Sequence, residues 1–312
     1  MVTFRISLFG RFKIQSDCID QVVNIENRKV QELFCFLLIH PHRPHTREAL
    51  GTLLWEGSST GQMKKYLRQA LWQLQTALEP NSKSSEQRLL LVEAEWVQIN
   101  PEANYWLDVS SFEQAFNLIR GQVGRSLSAE QVKIVQEAID LYEGDLLEGW
   151  YQDWCLHERE RLQTIYLIML DKMMDFCQMH HRFEEGWHYG NQILAHDQAR
   201  EHTHRQLMQL FYQSGDRTGA LRQYDRCVSI LEKELGVKPS KQTIALYQQV
   251  CTDILGDAVP TPVNGTASAQ GTNNALNGML GRLKVLKNVL LQLQDQVDEE
   301  IKTVEQVLRI EG

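Results

Sequence analysis

The hydrophobic pattern changes period near residue 27, and this change constrains the fold more than any other feature of the chain. Residues 2–9, VTFRISLF, alternate apolar and polar side chains, with Val2, Phe4, Ile6 and Leu8 on one side. Phe12 and Ile14 continue the alternation after Gly10. A spacing of two places these residues on one face of a pleated strand, so the chain opens with a short antiparallel hairpin or meander. Val22, Val23 and Ile25 suggest one more strand. From residue 28 the spacing turns helical: Val30, Leu33, Phe34, Leu37 and Leu38 form one stripe. His40-Pro41 ends that helix, and Pro41 and Pro44 mark a turn. Thr46 is a good N-cap for a second helix over 46–55.

After Gly57, Ser58 and Ser59 a third, longer helix runs from about Thr60 to Leu78, with Met63, Leu67, Leu71, Leu74 and Leu78 as its buried stripe. Its other face carries Gln62, Lys65, Gln69, Trp72 and Thr76, flanked by Lys64 and Arg68. The helix holds three basic residues and no acidic one. Charge distribution sharpens the point. The chain has 32 Lys+Arg and 40 Asp+Glu, yet residues 1–120 hold 13 of each, so the acidity lies wholly in the C-terminal part. Contact with DNA therefore requires a local basic patch, and this helix supplies one. Arg, Lys and Gln can bind phosphates and reach base edges in a major groove. A preceding helix and tight turn match helix-turn-helix geometry, and the following hairpin, RLLLVEA to WVQIN, supplies a wing. The plain alternative is a solvated cationic face, with Trp72 packed against a neighbouring domain.

The order of strands, three helices and a hairpin resembles the OmpR-type winged helix. It is more similar still to the Streptomyces antibiotic regulatory protein family, through SLFGRFKI, NRKVQELFCFLLIHPHRPHTREALGTLLW, YLRQALWQLQTAL, and WVQIN to LDVSSFEQAF. The resemblance implies that the third helix lies in the major groove and that the hairpin touches the backbone or minor groove. It assigns Lys64, Lys65 and Arg68 to DNA, then Gln69 and Trp72, with Arg28 and Lys29 as further phosphate candidates. Gln73 and Gln75 stand where the family often carries charge, so affinity is expected to be lower or more dependent on dimerisation.

From about 128 to 254 the chain reads as all helix. Residues 174–207 and 208–241 align at an offset of 34, the tetratricopeptide period: Met174 with Met208, Cys177 with Phe211, Gly186 with Ala220, Trp187 with Leu221, and Leu194 with Val228. AIDLYEGDLLEGWYQDWCLHERERL and DQAREHTHRQLMQLFYQSGDRTGALRQYDRCVSILEKELGVKPS resemble the opening and closing of the bacterial transcriptional activator domain. The resemblance implies dimerisation and contact with RNA polymerase. Stacked helix pairs also form a concave surface that suits a peptide, a protein or a small effector.

Residues 257–275 are small and polar and read as a flexible linker. Beyond them lies a heptad, with Leu276, Leu283, Leu290, Val297 and Val304 at a, and Met279, Leu286, Leu293, Glu300 and Val307 at d. Every seam position but Glu300 is apolar, which argues for a coiled coil and a homodimer. Folding back onto the repeat domain is the alternative.

Six well-separated cysteines show no metal-ligand spacing and read as reduced, mostly buried thiols. The N-terminus lacks a signal-peptide pattern, and no apolar run is long enough for a membrane span, so a cytoplasmic protein is expected. No phosphate-binding Gly-Lys loop, Gly-x-Ser-x-Gly or His-Glu-x-x-His occurs, so neither a cofactor nor catalysis is expected. His40, His42 and His45 lack Cys or carboxylate company for a metal. His180, His181, His196, His202 and His204 flank repeat turns and read as surface residues.

The expected fold is mainly α. It comprises a winged helix-turn-helix with a small β-sheet and hairpin wing (1–112), a tetratricopeptide-like repeat domain (113–255), a linker (256–275) and a coiled-coil helix (276–312). The expected function is a regulator that binds double-stranded promoter DNA as a dimer and contacts RNA polymerase. The alternative is an adaptor whose repeat domain binds a signalling ligand or protein partner.

Overall fold

The computed structural model describes residues 4–16, 21–78 and 88–252. The expected linker and coiled-coil seam lie outside the described residues. Strand β1 (Phe4–Ser7) pairs antiparallel with β2 (Lys13–Ser16), with Ile6 opposite Ile14. Phe4, Ile6 and Ile14 are buried, whereas Arg5, Lys13 and Gln15 between them are exposed, as the period of two requires. β3 (Gln21–Val22) extends β2 on its outer edge. Ile25 is buried, but the chain has already left the sheet there.

Helix α1 (Arg28–Ile39) starts where the hydrophobic period changes. Its N-cap, Asn27, accepts a hydrogen bond from Lys29 N at 2.9 Å. Helix α2 (Arg47–Leu54) is capped by Thr46, whose hydroxyl accepts from Ala49 N. Helix α3 (Thr60–Leu78) buries Leu67, Ala70, Leu71, Leu74 and Leu78. A second sheet has the order β4-β6-β5, built from β4 (His45–Thr46), β5 (Leu90–Val92) and β6 (Trp96–Ile99). The β5–β6 hairpin lies where the sequence placed the wing. β4 is an addition: two residues of the Pro-bearing turn extend and pair with Val97 and Trp96.

β7 (Tyr105–Leu107) then returns beside β1 in parallel and completes the order β3-β2-β1-β7. It leads directly into α4 (Asp108–Ile119), α5 (Ala129–Leu141), α6 (Asp153–Met179), α7 (Phe183–His196), α8 (Glu201–Gln213), α9 (Arg217–Leu235) and α10 (Lys241–Thr252). α5 opens with a full capping box between Ser128 and Gln131. The boundary expected after residue 112 falls inside α4, and one apolar core runs from Phe4 to Leu210 across it.

The 34-residue offset corresponds to helix pairs that pack closely at small residues. A Cβ on Gly190 would come within 2.6 Å of Leu207 Cδ2, and one on Gly186 within 3.0 Å of Leu210 Cδ1. Ala220, the counterpart of Gly186, is fully buried. His204 corrects the surface reading of the repeat-turn histidines. It is fully buried, because Gln198 O and the Gln223 side chain satisfy its two ring nitrogens at 2.9 and 2.8 Å. The exposed side of α10, the last helix among the described residues, is mostly polar, with Lys241, Gln242, Gln248 and Gln249.

A clasp joins the N-terminal sheet to the helices. The segment leaving β1 pairs with the loop before α6: Gly10 N donates to Asp145 O, Leu147 N to Leu8 O and Glu148 N to Gly10 O, at 2.8–2.9 Å. The turn bends at Gly10, where φ is +71°. Leu8 N and Phe9 N donate to Asp108 Oδ2 at 2.7 and 2.9 Å, and Val109 N donates to Oδ1. Burial pushes the Asp108 carboxyl up to about 6, while these N–H donors pull it back down. On the other side, Leu147 is buried in the left-handed region at φ +49°, which costs an L-residue about 1–2 kcal/mol. The Arg159 guanidinium holds it there, donating to Leu146 O, Leu147 O and Trp150 O at 2.9–3.0 Å.

Arg159→Ala leaves three largely buried carbonyls without their charged donor and should destabilise the chain by about 3 kcal/mol in urea unfolding. Arg159→Lys, which cannot fork across three acceptors, should recover less than half of this. A loss under about 1 kcal/mol would show that the loop holds its shape without the guanidinium.

Candidate nucleic-acid interface

The first turn of α3 is fixed locally. Gln62 Oε1 accepts from Ser59 N and Ser59 Oγ at 3.3 and 3.2 Å, while Met63 N donates to Ser59 O. Gln62 is therefore engaged at the helix start, although the sequence placed it on the outward face. Gly51 of α2 brings the two helices together, since a Cβ there would already touch Met63 Cβ at 3.4 Å. Asn27 Nδ2, at the head of α1, donates to Gln73 Oε1 at 3.3 Å. The helix is thus held from beneath by its apolar stripe and from one side by α1.

Lys64, Lys65, Arg68, Gln69 and Trp72 are all exposed, Trp72 at 63%. Among the described residues, none of the three cations has a carboxylate within ion-pair distance. Positions 65, 68, 69 and 72 recur at three and four, so they form one outward ridge. Beside it a groove of about 310 Å³ runs between α3 and the start of α1, lined by Lys29, Trp55, Tyr66, Gln69 and Gln73. Trp55 and Tyr66 lie 6.1 Å apart there. The sequence reading did not join these two aromatics, although each directly follows or lies within a helix of the motif.

Arg28 and Lys29 are placed differently. Glu32 is 2% exposed, and Lys29 Nζ sits 2.7 Å from it, with the Arg28 guanidinium at 3.9 Å. Gln152 Nε2, just before α6, donates to the same carboxylate at 2.7 Å. The Arg28 guanidinium carbon also lies over the Trp150 ring, 3.7 Å from its centre. Both cations are thus engaged at the junction with the helical domain. The sequence signal was available in Glu32, three and four residues from Lys29 and Arg28 on one helix. Its partner Gln152, 120 positions away, was not.

The wing carries its own electrostatic sign. Its turn holds Glu93 and Glu95, both exposed, between β5 and β6. Two carboxylates at the tip oppose close approach to phosphates. The hairpin contact that the family resemblance implies is therefore disfavoured at the tip.

Residues 107–251 match the family described as the bacterial transcriptional activator domain. The chain carries that domain over these residues, and it is similar to the Streptomyces antibiotic regulatory proteins. The match begins at the last residue of β7, so the activator domain takes in the whole of α4. One solved structure, Mycobacterium tuberculosis EmbR in complex with a low affinity phosphopeptide, has a similar fold, with a TM-score of 0.60 at 17% identity. The alignment covers 92% of this chain and 72% of that one. No curated protein sequence is significantly similar to this chain.

No helix among the described residues is long and apolar enough to cross a membrane. No group of three His, Cys, Asp or Glu side chains is placed to hold a metal among them. His45 instead packs on Phe36 and bonds His40 O at 3.1 Å. Cys35, Cys155, Cys177 and Cys227 are buried free thiols, and Cys251 is exposed.

Arg28→Ala should lower stability by about 1 kcal/mol through loss of the stack on Trp150, and leave DNA affinity unchanged. A selective fall in DNA affinity at unchanged stability would move Arg28 from the junction to the DNA.

Proposed function

We propose that this regulator reads promoter DNA through α3 and recruits RNA polymerase through its helical domain, acting as an activator. The observation that carries this reading is the cationic ridge of Lys64, Lys65 and Arg68, unpaired among the described residues, with Gln69 and Trp72 alongside, on a helix whose opposite face packs into the core from Leu67 to Leu78. Lysines and an arginine free of counter-ions are available to phosphates, and release of condensed cations drives their binding. Arg68 and Gln69 have side chains able to read base edges, while Trp72 offers a flat apolar surface to a sugar or base. A helix without acidic residues avoids repulsion along its whole length. The acidic wing tip leaves α3 as the principal contact.

A single ridge of this size covers one half-site. Pairing of two copies through Leu276, Met279, Leu283, Leu286, Leu290, Leu293, Val297, Val304 and Val307 would place two such ridges on one operator. Only three basic residues on α3 make this second contact important for affinity.

Duplex fragments enriched from genomic DNA by the wild-type protein provide the test, by fluorescence anisotropy across a salt series. Arg68→Ala should cost about 1–3 kcal/mol of affinity and relax discrimination among fragments. Lys65→Ala should weaken binding to all fragments evenly and flatten the slope of log affinity against log salt by about 1. Circular dichroism should be unchanged in both. Sequence-specific binding retained at full strength by the double variant would remove α3 from this role.

A further inference from the structure

Opposite charges face one another, unpaired, across a cleft between the N-terminal sheet and the helical domain. One wall is the outward face of the sheet, with Arg5 on β1 and Lys13 on β2. The other is the end of α5, with Asp140 in its last turn and Glu143 just beyond. The cleft has a volume of about 250 Å³, with Asp108 in its lining. None of the four wall charges has an ion-pair partner among the described residues.

This arrangement selects by charge. A simple anion is attracted by the sheet wall and repelled by the helix wall, and a simple cation meets the reverse. A molecule that carries both signs a few ångströms apart satisfies both walls at once. Arg5 is already oriented, because its guanidinium lies 4.3 Å above the Trp106 ring. The helix wall is favourable to an ammonium group twice over, through its two carboxylates and through the negative end of the α5 dipole. Asp108 does not compete, since both its oxygens already accept backbone N–H groups. The volume suits a compact metabolite and is below that of sites for larger ligands.

We propose that this cleft binds a small zwitterion of the α-amino acid class, with its carboxylate on Arg5 and Lys13 and its ammonium on Asp140 and Glu143. The walls come from the two sides of the clasp between β1 and the loop before α6, so the bound molecule braces that clasp. A metabolite of this class thereby gains a route to the regulator that does not pass through the DNA-facing ridge.

The test is the thermal midpoint of the full chain at low ionic strength with each proteinogenic amino acid in turn, without DNA. The amide and N-acetyl derivatives of any responding amino acid serve as controls, as does adenosine monophosphate. At least one amino acid should raise the midpoint in a concentration-dependent way. Lys13→Ala and Glu143→Gln, both exposed positions, should each abolish the shift without changing the ligand-free midpoint, and both derivatives should be inactive. Absence of a shift with every amino acid, a shift that survives both variants, an equal response to the N-acetyl derivative, or a response to the nucleotide alone would overturn the proposal. Because no DNA is present, these outcomes leave the reading of α3 untouched.

Discussion

The backbone pairing of residues 8–10 with residues 145–148 determines how the rest of this molecule works. A winged helix followed by a helical repeat could be two bodies on a string. Here the turn that leaves β1 is used twice, since Asp108 accepts its N–H groups from one side and the loop before α6 pairs with it on the other. Arg159 then fixes that loop, including a leucine in a conformation that leucine disfavours. The consequence is one apolar core shared by the N-terminal sheet and the helices as far as Leu210, so the orientation of α3 is tied to the helical domain. Events on the repeats can reach α3 through packed structure.

Charge is divided along the same line. The N-terminal part carries equal numbers of acids and bases, yet α3 gathers three cations with no acid among them, while the two at the head of α1 share the Glu32 carboxylate. Glu32 would be an isolated buried charge without Lys29, Arg28 and Gln152, so the three belong together as one junction contact. On the proposed reading, the two carboxylates at the β5–β6 turn and the acidic C-terminal part disfavour contact with DNA away from α3. A protein of net charge −8 can approach a polyanion only in this restricted way.

Most of the architecture was legible in the sequence, because it rests on periodicity and caps. The alternation through Ile6 and Ile14, the Thr46 cap, the stripe of α3 from Leu67 to Leu78 and the close packing at the 34-residue offset all appear in the structure, whereas Met63, expected in that stripe, is only half-buried in the first turn. What escaped depends on partners distant in the chain. β4 exists only because β6 lies beside it, and nothing in His45–Thr46 marks a strand. His204 is buried because Gln223 and Gln198 O meet its ring, a pairing no local pattern reveals. Arg28 and Lys29 carry the composition of phosphate ligands, and Trp150 and Gln152 draw them to the junction. The exposed face of α3 was legible for the opposite reason, since exposure needs no partner and follows from the buried stripe alone.

The central claim is that α3 meets DNA while the helical domain stays clear of it. Hydroxyl-radical footprinting of side chains, with and without a bound duplex, tests this directly. Tyr66 and Trp72 are reactive aromatics on α3, and Tyr151, 77% exposed, is an internal reference on the helical domain. The account predicts strong protection of Trp72 and Tyr66 with Tyr151 unchanged. Protection of other surfaces while the peptide of residues 60–78 keeps its full reactivity would contradict it.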